Sequence, residues 1–80
     1  IRTEVDLRGQ RVHEAVKSLE QYIDQALLAN YHQVTIIHGM GTGAVRKAVH
    51  KRLREHPRVA SFNDAPANQG GNGATIVTFK

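Results

Sequence analysis

The sequence predicts a two-layer α/β domain with element order β-α-β-α-β-β. Three observations predict it. Hydrophobic spacing switches repeatedly between a period of two and a period of about 3.6 along the 80 residues. An apolar run, Val34-Thr35-Ile36-Ile37, passes through His38-Gly39-Met40-Gly41-Thr42-Gly43 directly into an amphipathic segment. The first two connections have helical length and pattern, as crossovers between parallel strands require. Right-handed connections then put both helices on one face of the sheet.

Thr3 to Leu7 alternates, Val5 and Leu7 facing one way and Glu4 and Asp6 the other, so it reads as a half-buried strand ended by Gly9. From Arg11 to Ala29 the stripe Ala15, Val16, Leu19, Tyr22, Ile23, Ala26 and Leu27 predicts a helix, and Asn30 suits a left-handed stop. Val34 to Ile37 reads as a buried strand. Helix two spans Ala44 to Glu55, with Val45, Ala48, Val49 and Leu53 inward and Arg46, Lys47, His50, Lys51 and Arg54 outward. Thr42 is the expected N-cap or capping-turn residue. His56-Pro57 stops the helix, because a residue before proline is driven out of helical space. Val59 to Phe62 reads as a third strand, 63–73 as a long glycine-rich loop, and Ala74 to Phe79 as the last strand.

Composition narrows the function classes. There is no cysteine, hence no disulfide framework, thiolate metal site or cysteine nucleophile, and a reducing, cytoplasmic setting is expected. No apolar stretch is long enough for a membrane span or a signal peptide. Opening at Ile1 rather than Met, almost directly on a strand, the chain reads as a segment of a longer protein. Residues 1–40 carry four basic and five acidic side chains, whereas residues 41–80 carry seven basic and two acidic, a net of −1 against +5. The excess lies between residues 46 and 58 and points to an anionic partner, nucleic acid before membrane. Tyr22, Tyr31, Phe62 and Phe79 mostly read as core, so binding is expected to follow the phosphate backbone rather than stacked bases.

The strand, glycine loop and helix start form a phosphate-facing unit. Gly39, Gly41 and Gly43 allow close backbone approach, and the free N–H groups and dipole of the helix start favour an anion. A tight β–α turn with His38 as filler is the plainer reading of the same residues. In the predicted topology Arg8 to Arg11, His38 to Gly43 and the 63–73 loop share one rim, at the carboxyl ends of parallel strands, where ligands of open α/β sheets bind. Asp6 and His38 are expected to meet there, the carboxylate orienting the imidazole for acid–base work, with Arg8 on phosphate. The alternative is a polar pair tying two strand ends. Asp6 is the one well-placed carboxylate for a magnesium-like ion, with Glu4 and Asp64 less so. His13, His32, His50 and His56 read as surface or helix-face histidines.

Val5-Asp6-Leu7-Arg8-Gly9 with His38-Gly39-Met40-Gly41-Thr42-Gly43 resembles the Smr (small MutS-related) domain. The likeness extends to His56-Pro57 and to Gly70-Gly71-Asn72-Gly73-Ala74-Thr75, so it covers essentially the whole chain. Arg8, where many Smr proteins have histidine, resembles the form at the C-terminus of the second, non-mismatch-repair bacterial MutS paralogue. The resemblance implies a fold like the C-terminal domain of translation initiation factor three, with strand order 1-2-4-3 and strand four antiparallel. It implies an endonuclease of little sequence specificity that nicks DNA, usually with a divalent metal such as magnesium or manganese, in a protein that suppresses homologous recombination. The competing implication is a non-catalytic module that targets branched DNA, RNA or collided ribosomes. A MutS-type ATPase and clamp region would precede the domain in cis and carry oligomerisation. Family roles fall on Asp6, Arg8 and His38 as catalytic residues, with Asp6 the candidate metal ligand. Gly39, Gly41, Thr42, Gly43, Gly71, Arg11, Arg46, Lys47, Lys51 and Arg54 are the expected phosphate and nucleic-acid contacts. Arg8 cannot replace a histidine in proton transfer, since guanidinium stays protonated, and Gln69 and Asn72 stand where related sequences often have acidic residues.

Overall fold

A computed structural model of the chain describes residues 2–80. Its elements are β1 (Glu4–Asp6), α1 (Val12–Leu28), β2 (Gln33–Ile37), α2 (Ala44–Glu55), β3 (Val59–Asp64) and β4 (Ala74–Phe79), with 3₁₀ turns at Ala67–Gln69 and Gly71–Gly73. The strands lie in the order β1-β2-β4-β3. β1 runs parallel to β2, pairing Val5 with Ile36. β4 inserts antiparallel between β2 and β3, with Thr35 opposite Ile76 and Phe62 opposite Val77. This is the topology that the resemblance implies.

Both helices pack on one face of the sheet, over Leu7, Val34, Ile36, Val77 and Phe79. The α1 stripe buries Ala15, Leu19, Tyr22, Ile23 and Ala26, and α2 buries Val49 and Leu53. Arg52 of α2 donates to Glu20 of α1 and clips the two helices together. Asn30 follows α1 at φ 61°, the left-handed turn its side chain tolerates.

Three boundaries differ from expectation, each for a backbone reason. β1 is short because the chain turns at Arg8-Gly9, where the Gln10 amide returns to the Leu7 carbonyl at 3.2 Å. β3 runs on to Asp64 because antiparallel pairing with β4 holds it to Thr75. The loop after β3 is organised rather than open, its two 3₁₀ turns hung on the Pro66 carbonyl, which accepts from Gln69 and Gly71 at 2.8 and 3.0 Å. The N-cap of α2 is Gly43, not Thr42. Gly43 sits at φ 83°, a conformation that disfavours side chains, and the Thr42 hydroxyl reaches only the Ala44 amide at 3.4 Å.

Candidate functional site

The glycine loop is tied to the start of β4. The Gly73 carbonyl accepts from the amides of both His38 and Gly39, at 3.1 and 2.8 Å. Gly73 packs closely on the loop: a Cβ there would lie 3.3 Å from Met40 Cγ and 3.7 Å from the Gly39 backbone. The loop then closes through the Gly43 amide on the Met40 carbonyl at 3.1 Å and delivers the chain into α2. Between this loop and the β1 turn lies a cleft of about 300 Å³, lined by Arg8, Gly9, the run His38 to Gly43, and the first helical residues Ala44, Val45 and Arg46. The first amides of a helix have no intrahelical acceptor, so this cleft faces N–H donors and the positive end of a helix dipole.

The structure gathers Arg8, His38, Gly39, Gly41, Thr42, Gly43 and Arg46 around that cleft. Arg8 lays its stem against Gly39, at a backbone conformation (φ 77°) where an added Cβ would stand 3.3 Å from Arg8 Cγ. Its guanidinium grips Asp6 from two nitrogens, Nε at 2.9 Å to Oδ1 and Nη2 at 2.7 Å to Oδ2, while the Arg8 amide also donates to Oδ1 at 2.9 Å. Those bonds hold the Asp6 carboxyl down at about 2, well under its ordinary 3.8. Arg46 donates to Asp64 at 2.8 Å, which lowers the Asp64 carboxyl, while the buried Arg46 Nε has no hydrogen-bond partner among the described residues.

Two expected groupings are not formed. Asp6 and His38 do not pair. Successive residues of a strand face opposite ways. Because Val5 and Leu7 point into the helix-covered core, Asp6 points to the open face beside Ile37. His38 continues the inward set of Val34 and Ile36 and is 5% exposed. Its Nδ1 lies 2.9 Å from the Gly39 carbonyl and its Nε2 2.8 Å from Thr75 Oγ1. Asp6 reaches the cleft only through Arg8. Nor do the residues fit a protein-held magnesium or manganese. Arg8 occupies both Asp6 oxygens, and no group of three histidine or carboxylate side chains able to hold a metal occurs among the described residues.

Other expected contacts are displaced. Arg11 starts α1, its amide donating to Glu14 at 3.1 Å, and does not line the cleft. Gly71 lies in a 3₁₀ turn outside it; Gly73 is the flap glycine that matters. Lys47, Lys51 and Arg54 are exposed on α2 beyond the cleft, and none forms an ion pair with another described residue. His50 is not a solvent-facing histidine. It is half-buried, with Nε2 2.8 Å from Thr75 Oγ1 and its ring edge-on to Phe62 at 4.9 Å. Burial, helped by Arg46, pushes the His50 imidazole below its ordinary range. Thr75, fully buried, went unassigned. Its signal was the period-two set Thr75, Val77, Phe79, which places a hydroxyl on the core face of β4.

Comparison with known proteins now decides the family. A family model described as the Smr domain matches residues 5–80. The chain belongs to the Smr domain family. Its backbone superimposes on the Smr domain of Thermus thermophilus MutS2 with a TM-score of 0.94 at 43% identity, covering 96% of each chain. It also matches YdaL, a stand-alone small MutS-related protein of Escherichia coli, at TM-score 0.93 and 32% identity, over 98% of this chain and 64% of that one. Among curated relatives, the protein named endonuclease MutS2 in Latilactobacillus sakei is 58% identical over 80 residues, and that of Lactobacillus helveticus 62% over 78. This Smr chain spans about a tenth of the length of those relatives. No helix among the described residues is long and apolar enough to cross a membrane.

Proposed function

We propose that this Smr domain binds the phosphodiester backbone of DNA in the glycine-loop cleft and nicks it with little sequence preference. The observation that carries the reading is the cleft itself, which brings the N-terminus of α2, Arg8 and His38 to one place. The exposed Lys47, Lys51 and Arg54 continue from it along α2 as backbone contacts. A phosphate seated on the first α2 amides meets oriented donors that stabilise charge as it develops on the phosphoryl oxygens. Arg46 lines the cleft as well, its guanidinium fixed by Asp64. Arg8 supplies fixed positive charge, Asp6 holds it in place, and His38 supplies the hydrogen-bonding and proton-carrying group. Hydrolysis adds water at phosphorus, breaks one ester bond and protonates the departing oxygen, leaving a nicked strand.

The name endonuclease carried by the curated relatives supports this reading, as does the fold shared with the MutS2 domain. In a longer MutS-type protein the module would follow an ATPase and clamp and act on branched DNA, suppressing recombination. The test is nicking of supercoiled plasmid by the 80-residue chain. Wild type nicks and raised salt suppresses it, whereas His38→Ala and Arg8→Ala abolish it; wild-type rates in both variants overturn the assignment. A second reading, a binding module without cleavage, is favoured by the internal engagement of both His38 nitrogens. It predicts DNA, RNA or ribosome binding with no cleavage above the His38→Ala control.

A further inference from the structure

The inward side of the cleft is a chain of polar groups that the sequence reading leaves without a role. His38 Nε2 and His50 Nε2 both lie 2.8 Å from the same Thr75 hydroxyl, and the two rings stand edge-to-face at 5.9 Å. Hydrogen-bond counting fixes the protons. The Gly39 carbonyl can only accept, so His38 Nδ1, 2.9 Å away, carries a hydrogen. A neutral His38 then has a bare Nε2, which must accept from the Thr75 O–H. The Thr75 oxygen in turn accepts from His50, whose Nε2 carries a hydrogen. The order of donation is His50 to Thr75 to His38 to Gly39.

From this relay we infer that Thr75 and His50 are positioning residues that hold His38 in the tautomer with its hydrogen on Nδ1, the nitrogen beside the Gly39 carbonyl. The inference rests on the nuclease reading for its purpose but not for its geometry. A phosphate oxygen can replace the Gly39 carbonyl as the acceptor of that Nδ1–H without rearranging the buried side.

The surroundings constrain His50 further. Arg46 and Arg54 on its own helix oppose a second positive charge, Asp64 of β3 favours one, and His38 of β2 opposes it. Arg8, beyond β1, lines the cleft with His38. Burial first, and then these charges, keep the His50 imidazole below its ordinary range, consistent with a single hydrogen held on Nε2.

The test is long-range ¹H–¹⁵N spectroscopy of the histidine rings in the 80-residue chain, with plasmid nicking as a separate readout. Wild type is expected to show His38 as the Nδ1–H tautomer and His50 as Nε2–H at neutral pH. Thr75→Val, nearly isosteric, removes the hydroxyl. It is expected to release His38 into mixed tautomers and to lower the nicking rate about tenfold or more at unchanged DNA affinity, as a wrong tautomer does elsewhere. Thr75→Ser restores both. His50→Phe, which suits the Phe62 neighbour, frees the Thr75 hydroxyl to accept from His38 as well as donate to it; it is expected to give mixed His38 tautomers too, and serves should Thr75→Val not fold. A bare His38 Nδ1 in wild type, or wild-type His38 signals in Thr75→Val and His50→Phe, overturns the inference. Correct tautomers in a chain that does not nick overturn the nuclease reading alone.

Discussion

Salt dependence of DNA binding offers a quantitative test of which α2 cations meet the backbone. The helix carries Arg46, Lys47, Lys51, Arg52 and Arg54, and charge alone would credit all five. Arg46 is bonded to Asp64 and Arg52 to Glu20, so each is largely neutralised where it stands. Lys47, Lys51 and Arg54 remain, at i, i+4 and i+7, a single exposed stripe. Each phosphate neutralised on duplex DNA contributes about −0.9 to the slope of log K against log salt, so three contribute about −2.7. Between about 50 and 200 mM salt, a fourfold change, that stripe accounts for about a 40-fold loss of affinity. The triple variant Lys47→Gln, Lys51→Gln, Arg54→Gln should lose that much salt sensitivity. Arg52→Gln should leave the slope within about 0.3 of the parent. Fluorescence anisotropy with a labelled duplex across the salt series reads both. A triple variant with the parental slope refutes the reasoning, and so does an Arg52→Gln slope that falls by a full charge.

The Asp6 carboxyl should titrate near 2 by carbon NMR and return toward 3.8 in Arg8→Gln; because its folded value is depressed, the pairing is present above about 3.8 and fades as pH falls toward 2, and an unshifted Asp6 in wild type contradicts the pairing. His50 is likewise depressed, here by burial, so its neutral form favours the fold above about 6.5 and stability declines as pH drops below that. Thermal melts should fall more steeply below about pH 6.5 in wild type than in His50→Phe, and parallel curves would show that His50 does not contribute. Gly39→Ala should cost about 1–2 kcal/mol in urea unfolding, from the left-handed backbone and the Arg8 stem 3.3 Å away, and a cost under about 0.3 kcal/mol would mean the loop relaxes freely.

The fold was largely legible in the sequence, since period-two and helical stripes at Val5/Leu7, Ala15 to Leu27 and Val45 to Leu53 are imposed by the core they bury. The order 1-2-4-3 was not: periodicity does not say which neighbour β4 chooses, and only the family likeness carried it. In the site, the glycine loop announced itself because Gly39 and Gly43 adopt positive φ that other residues resist. A shared rim suggests contact between Asp6 and His38, although alternation from Val5 and Leu7 already turns Asp6 to the open face. His50 and Thr75 are hard to find for the opposite reason. Each looks ordinary on its own element, and their bond joins residues 25 apart. Arg46 looks like a free cation in the sequence because its partner, Asp64, stands on a different element, β3.

The central claim is that phosphate seats on the glycine loop and the first turn of α2. Amide chemical-shift mapping of the 80-residue chain, titrated with a short duplex, tests it most directly. The largest shifts are expected at Gly39 to Arg46 and at the Arg8 side-chain Nε–H, with smaller ones along Lys47, Lys51 and Arg54. Shifts centred instead on Thr35, Ile37, Ile76 and Thr78 of the open sheet face, with the glycine loop silent, would contradict it.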